Sequence, residues 1–439
     1  MTQETALHIL KLGYNVYLTG PAGSGKTWLL NEYIKYLKDK EVSVAVTAST
    51  GIAATHMNGI TIHSWVGMGI KDKLTDSEIK AIIRKSKYRK RLNKTKVLLI
   101  DEISMLHAHQ LDNVDRILRA AREPFMPFGG LQVILCGDFF QLPPVSKKIE
   151  KAKLVYESQA WQNMNINICY LEEVKRQTDN RMIKVLNDIR NQTVDNDTAR
   201  IVLERENQGL ESEIEPTRIF THNRDVDAIN QSELNKIKEK AFGYNMANYG
   251  DKFVSKILRE GCLAPEKLVL KKGAVVMFVK NNFDKGYVNG TVGKVVGFDS
   301  ETKFPIIKIS SGENILAEPE QWQYEENGVI AAYIRQIPLR LAWAITVHKS
   351  QGMTLESAEV DLSGCFEFGM GYVALSRVKS LTGLNVLGIN EMAFEVSPEV
   401  VSLDGELLEL SLEVEREIVE MNLAERFIKQ KKFLRMLKK

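Results

Sequence analysis

Cysteine is scarce in this chain, and Cys136, Cys169, Cys262 and Cys365 stand far apart without a CxxC pair. That spacing suggests neither a zinc site nor a disulfide framework, so the four read as reduced core thiols. No apolar run approaches the ~20 residues of a membrane span, and the first 15 residues lack the charged-then-apolar layout of a secretory signal. A cytoplasmic protein without membrane contact is expected. Excess charge is missing too: 59 basic against 56 acidic side chains leave +3, which by itself points to no polyanionic partner. No repeat of solenoid period and no low-complexity tract is present.

What is present is unevenly placed. Residues 71–96 carry eleven Lys or Arg against three acids, and residues 426–439 carry seven basic residues and no acid. Each run is either a solvated face or a nucleic-acid contact. With 439 residues, 44% of them hydrophobic, two or three domains are expected. The first half alternates short apolar strands (16–18, 44–46, 97–100 and 133–135) with helix-like segments, the rhythm of a parallel α/β sheet. A second α/β pattern begins near 218–220 and resumes at 358–361 and 384–387. Between its parts, 274–279, 290–298, 305–310 and 328–334 read as short β segments punctuated by Gly and Asn. From Glu413 onward, Val414, Ile418, Met421, Phe427, Ile428, Leu434 and Leu437 recur at helical spacing, with acids early and bases late. That tail is a solvated structural helix or a basic arm for DNA or a partner.

The chemistry starts at residues 20–27, a phosphate-binding loop between an apolar strand and a helix. Gly20, Gly23 and Gly25, with Ala22 and Ser24 between them, let backbone N–H groups converge on phosphate oxygens. Lys26 reaches the terminal phosphates and the Thr27 hydroxyl is a Mg²⁺ ligand. The strand 97–100 delivers two adjacent carboxylates, which we assign as Asp101 to the metal and Glu102 to the general base. After the next strand, the amide of Gln141 is placed to sense a γ-phosphate or orient water, although Pro143 and Pro144 could simply end that strand. Transition-state charge calls for arginine, and Arg176 and Arg377 lie outside the first lobe's strands. If the second lobe supplies both, ATP is clamped between lobes and hydrolysis is coupled to their movement.

Taken together, these residues resemble the Pif-type 5′-to-3′ DNA helicases of superfamily 1, subgroup B. The resemblance runs from Gln3 to about Leu387 and rests on the phosphate loop and on residues 47–54, 61–65, 101–105, 127–130, 137–145, 174–177, 288–291, 346–352 and 373–377. Residues 106–122 are similar to the family's signature segment. It implies an α/β fold of two RecA-like lobes with a small insertion in each. The first lobe would span 1–175 with a strand-separating wedge at about 66–95, and the second 176–390 with a β-barrel at about 235–338. A helical extension would fill 391–439.

The resemblance further implies that Gln3 reads adenine, although only Met1 and Thr2 precede it where the family has a longer lead-in. The organelle-targeting extension of eukaryotic members is missing, so a compact bacterial or viral enzyme is expected. DNA contacts carried over from matching motifs are Thr50 and His63 in the first lobe and Asn289, Thr291, His348 and Lys349 in the second. Such hydroxyls, amides and ammonium groups hold phosphate without reading sequence, while His63 or Trp65 could stack on a base. The bland alternatives are a loop histidine and a core aromatic.

The activity implied is ATP-driven, Mg²⁺-dependent translocation along single-stranded DNA, with unwinding at single-strand/duplex junctions during replication, recombination or repair. G-quadruplexes and RNA–DNA hybrids are further candidate substrates. A monomer in solution, nucleoid-associated when on DNA, is expected. Two rivals are an ATPase that remodels protein–nucleic-acid complexes and an ATP-controlled binding switch. A nuclease is disfavoured, because no carboxylate or histidine cluster stands apart from the ATP site.

Overall fold

The computed structural model describes residues 1–69, 71, 73–144, 153–177, 179–210, 213–221, 226–326 and 328–437. Val145, at the end of one motif, lies outside them. All four strands expected in the first half form, at Asn15–Thr19, Val44–Ala48, Val97–Asp101 and Gln132–Cys136. They sit in a six-stranded parallel sheet completed by edge strands Ile60–Thr61 and Ile166–Tyr170. Both edges escape a pattern search, one by having only two residues and the other because Asn167 interrupts its apolar run.

Side chains alternate across this sheet as the pleat requires. Val16, Leu18, Leu99 and Ile134 pack with Ile9, Leu10, Leu29, Leu30 and Tyr33 of helices Gln3–Lys11 and Lys26–Asp39. Tyr17, Leu98, Ile100 and Leu135 join the other core with Leu111, Val114, Ile117 and Leu118 of helix Ala108–Ala121. Burial on both faces explains why the strands read as nearly continuous apolar runs. A second parallel sheet orders Ala344–Thr346, Thr217–Phe220, Ala358–Leu362 and Leu384–Ile389. This is the two-lobed α/β architecture expected.

The β-rich insertion is larger than its Gly- and Asn-marked segments suggest. Its strands fall into three antiparallel sheets: five strands from Val275–Phe278 to Leu339–Leu341, three including the hairpin Glu320–Glu326 with Val329–Gln336, and the pair Ala241–Asn245 with Lys267–Lys271. It also carries a helix, Lys252–Gly261, that lies on helix Gly51–His56 of the first lobe. The crossing is so close that a Cβ on Gly51 would sit 2.7 Å from the Gly261 Cα, and Thr55 Oγ1 donates to Gly261 O at 3.0 Å.

Around the expected wedge, the chain forms helices Asp76–Arg84, started by a Thr75–Glu78 capping box, and Ser86–Lys94. Arg91 of the basic run is not solvated: it is 3% exposed and makes a two-pronged ion pair with Glu326 of the insertion, at 2.7 and 3.1 Å. The tail is two helices, Pro398–Glu420 and Leu423–Leu437. Ile418 and Phe433 are buried against the first lobe, whereas Phe427 and Ile428 of the predicted stripe are exposed. Arg426 explains the break, because its guanidinium donates to the carbonyls of Ile418, Val419 and Met421 at the first helix's end. No helix among the described residues is long and apolar enough to cross a membrane.

Candidate functional site

The phosphate loop leaves strand Asn15–Thr19 and enters helix Lys26–Asp39, so it lies at the carboxyl end of a parallel strand. Gly23 and Gly25 adopt φ of 88° and 84°, left-handed values that a side chain resists. They also lack room for one: a Cβ on Gly23 would meet the Arg176 Cβ at 2.5 Å, and one on Gly25 the Gln3 Nε2 at 2.1 Å. Lys26 Nζ donates to Gly20 O and Pro21 O at 2.7 and 3.1 Å. Burial lowers its pKa, opposed chiefly by Asp138, then by Cys136 and, more weakly, Glu102. Ser24 Oγ is buried beside the loop without a protein partner.

Asp101 ends its strand, and its Oδ1 accepts the Glu102 backbone N–H at 2.9 Å. Glu102 then turns out of the strand at φ 51°, its carbonyl held by Ser49 Oγ at 2.6 Å. Burial raises both carboxyl groups; for Glu102 the next largest cause is the adjacent Asp101 charge. A carboxyl lifted toward neutrality in this way suits proton exchange with water.

A cavity of about 680 Å³ opens over these groups. From the first lobe it is lined by Lys26, Thr27, Thr50, Asp101, Glu102 and Gln141, and from the second by Asn289, His348, Lys349, Gln351 and Arg377. The two arginines arrive differently than expected. Arg377 comes from the second lobe, where its Nε donates to Val373 O and its Nη2 to Ser376 Oγ. Arg176 starts from the first lobe's side and reaches toward the second. The segment carrying it runs along the phosphate loop, with Lys175 N bonded to Gly23 O at 2.9 Å, and from there Arg176 Nη1 donates to Ser376 O at 3.2 Å. Burial, and then Arg176 beside it, lower Arg377 to about 9. A buried guanidinium, Arg377, beside a partly buried one, Arg176, makes an anion site, because negative charge relieves both desolvation and mutual repulsion.

The carried-over contacts divide. Gln3 lies beside the loop, its Nε2 donating to Ser24 O at 3.0 Å. Thr50, Asn289, His348 and Lys349 share the cleft, with Lys349 3.8 Å from Asp227. Thr291 lines a smaller cavity that shares Thr354 and Lys379 with the cleft, and its hydroxyl accepts the Val288 N–H. His63 is also outside the cleft, its pKa lowered first by burial and raised in part by a bond to Gln110, with His107 and His109 nearby. Trp65 is 1% exposed and packs in the core, so it stacks on no base.

Three cleft groups were not singled out from sequence. Gln351 of the second lobe donates from Nε2 to Glu102 Oε2 at 3.0 Å and to Gln141 Oε1 at 3.1 Å, joining these two first-lobe residues across the lobes. In the sequence, its motif marks His348 and Lys349 by resemblance and carries no local signal for Gln351. Trp28 and Phe283 are cleft aromatics 56% and 79% exposed. An aromatic directly after the phosphate loop, or amid the Asn-rich stretch 281–283, was the available signal.

Comparison with known proteins agrees with this geometry. A family model described as "PIF1-like helicase" matches residues 3–199, and one described as "DNA helicase Pif1, 2B domain" matches residues 252–298. The chain is 43% identical to an ATP-dependent DNA helicase Pif1 from Psychrobacter, over 98% of this chain and 75% of that protein. It is 36% identical to the ATP-dependent DNA helicase PIF1 of Xenopus laevis, over 91% of this chain but 63% of that longer protein. The crystal structure of a Bacteroides Pif1 in complex with ADP-AlF4 superposes with a TM-score of 0.76 at 30% identity, covering 93% of this chain and 96% of that one.

Proposed function

The chain belongs to the PIF1-like helicases, and on that premise we propose that it is an ATP-dependent DNA helicase that moves 5′ to 3′ on single-stranded DNA and opens duplexes. The observation that carries this reading is the interlobe contact in which Gln351 reaches both Glu102 and Gln141, beside Arg377. A nucleotide held there touches both lobes, so its hydrolysis changes how they sit together. His348 and Lys349, three and two residues before Gln351, face the same cavity, which puts the candidate strand contacts and the glutamine that touches the hydrolytic base on one short turn.

The residues present fit Mg²⁺ with ATP. Thr27 and Asp101 offer a hydroxyl and a carboxylate, and no cluster among the described residues cages a metal alone. Such a donor set suits an ion that keeps waters and phosphate oxygens as its other ligands. Mg²⁺ would supply charge neutralisation at the phosphates; Lys26, Arg176 and Arg377 would hold them, Gln141 would orient the attacking water and Glu102 would take its proton. Thr50, Asn289, His348 and Lys349 would hold the DNA backbone, with Trp28 and Phe283 available for base stacking.

Duplexes with a single 5′ or 3′ tail test the proposal. Unwinding is expected from the 5′ tail only, driven by ATPase activity that rises with single-stranded DNA, and Lys26→Ala should abolish both. Unwinding by Lys26→Ala would sink the mechanism, and a preference for the 3′ tail would reverse the polarity. ATPase indifferent to DNA would mark a binding switch instead.

A further inference from the structure

We propose that Asp404, on the C-terminal helix Pro398–Glu420, is a positioning residue for ATP hydrolysis: through Arg190 it holds the turn that presents Gln141 to the cleft. The inference rests on the hydrolytic reading of that cleft. Arg190, the last residue of helix Asn180–Arg190, is 4% exposed and joins four parts of the chain, the longest of its contacts being 3.5 Å from Nη1 to Tyr372 Oη. Its Nη1 donates to Asp138 Oδ1 at 2.8 Å, while its Nη2 donates to Tyr170 Oη at 2.9 Å and to Asp404 Oδ1 at 3.0 Å. Tyr170 Oη in turn donates to Asp404 Oδ2 at 2.9 Å, so Asp404 has both oxygens engaged.

From Asp138 the chain leads directly to Gln141. Asp138 is fully buried; its Oδ1 accepts the Phe140 N–H at 3.2 Å, and its carbonyl accepts the Gln141 N–H at 3.0 Å. The Arg190 guanidinium also lies 4.0 Å from the centre of the Phe140 ring. The turn's shape is therefore set by where Arg190 sits, and Arg190 is held from its far side by Asp404. Tyr170 N donates to Ser411 Oγ at 3.0 Å, which fixes the helix two turns beyond Asp404 to the same strand end. If bracing were the helix's whole task, apolar packing would serve as well as a carboxylate, because buried ion pairs add little net stability. A charge here sets direction rather than adhesion.

The test is steady-state ATPase of the full chain with saturating single-stranded DNA. Asp404→Asn keeps the shape and removes the charge; kcat should fall on the order of tenfold, with KM for ATP changed less than about twofold, since Arg190 meets the phosphate loop through a long 3.5 Å contact to Tyr372 Oη, the acceptor of the Ala22 N–H. Tyr170→Phe should lower kcat in the same direction by less. In a Gln141→Ala background Asp404→Asn should cost nothing further, because the effect passes through Gln141. An unchanged kcat with a lowered melting temperature would reduce Asp404 to a brace, and full additivity with Gln141→Ala would break the proposed route. Should Asp404→Asn fail to fold, Tyr170→Phe carries the same cycle. A wild-type chain that hydrolyses no ATP would overturn the helicase reading and this inference together, whereas an active wild type with a normal Asp404→Asn overturns this one alone.

Discussion

In the proposed role of base Glu102 must be ionised, and burial beside Asp101 makes ionisation harder. The acid limb of kcat should therefore lie above the usual carboxylate range, with hydrolysis falling as pH drops through that raised value; a limb near pH 4 would exclude Glu102 as the base. Gln351 donates a hydrogen bond to this carboxylate and so favours its charged form. Gln351→Ala should shift the limb to still higher pH by about half a unit to one unit, read from pH–rate profiles. At this scale the sequence spoke clearly wherever chemistry and local spacing coincide, as in residues 20–27, Asp101 and Glu102. It was silent on Gln351, whose task is defined by two partners more than 200 residues away in the chain. It misplaced Arg176, because a linear text does not show which lobe a connecting segment lies against. Trp65 and Arg91 misled for a common reason: an aromatic or a cation beside a suspected DNA path is indistinguishable from one folded inward until its burial is known.

Among elements, two of the contacts that tie the β insertion to the first lobe can be tested singly. Arg91→Met would leave Glu326 without its guanidinium, and the fold should lose on the order of 2 kcal/mol in urea denaturation, below the full buried-pair value because Glu326 keeps about a quarter of its surface in water. Gly51→Ala should cost about 1–3 kcal/mol by the same measurement, since its Cβ would meet backbone rather than a movable side chain. A loss under half a kcal/mol at Gly51 would mean that the crossing yields easily. The central strands were legible because burial on both faces leaves long apolar runs. The edge strand Ile60–Thr61 was not, because it has only two residues, and helix Lys252–Gly261, whose Phe253, Val254, Ile257 and Leu258 recur at helical spacing, is obscured by the β segments on either side of it. The tail was legible as helical but not as two helices, for the break is made by one arginine reaching back to three carbonyls.

For the whole molecule, the nucleotide residues Lys26, Thr27, Asp101 and Glu102 and the strand candidates Thr50, Asn289, His348 and Lys349 line a single cavity bounded by both lobes. Binding of one ligand must then bias binding of the other. A non-hydrolysable ATP analogue should change the affinity for single-stranded DNA by some factor, and DNA should change affinity for the analogue by the same factor, as paired titrations would show. Independence of the two would deny that they share the lobes' motion. The two-lobe plan was readable from recurring strand rhythm, while the docking of the insertion on the first lobe was not, since it depends on two hydrogen-sized side chains, Gly51 and Gly261. That meeting point also limits how the molecule can be recombined. An insertion borrowed from a relative will seat on this lobe only if its helix brings a comparably bare residue to the crossing, so lobe and insertion are expected to be inherited as a matched pair.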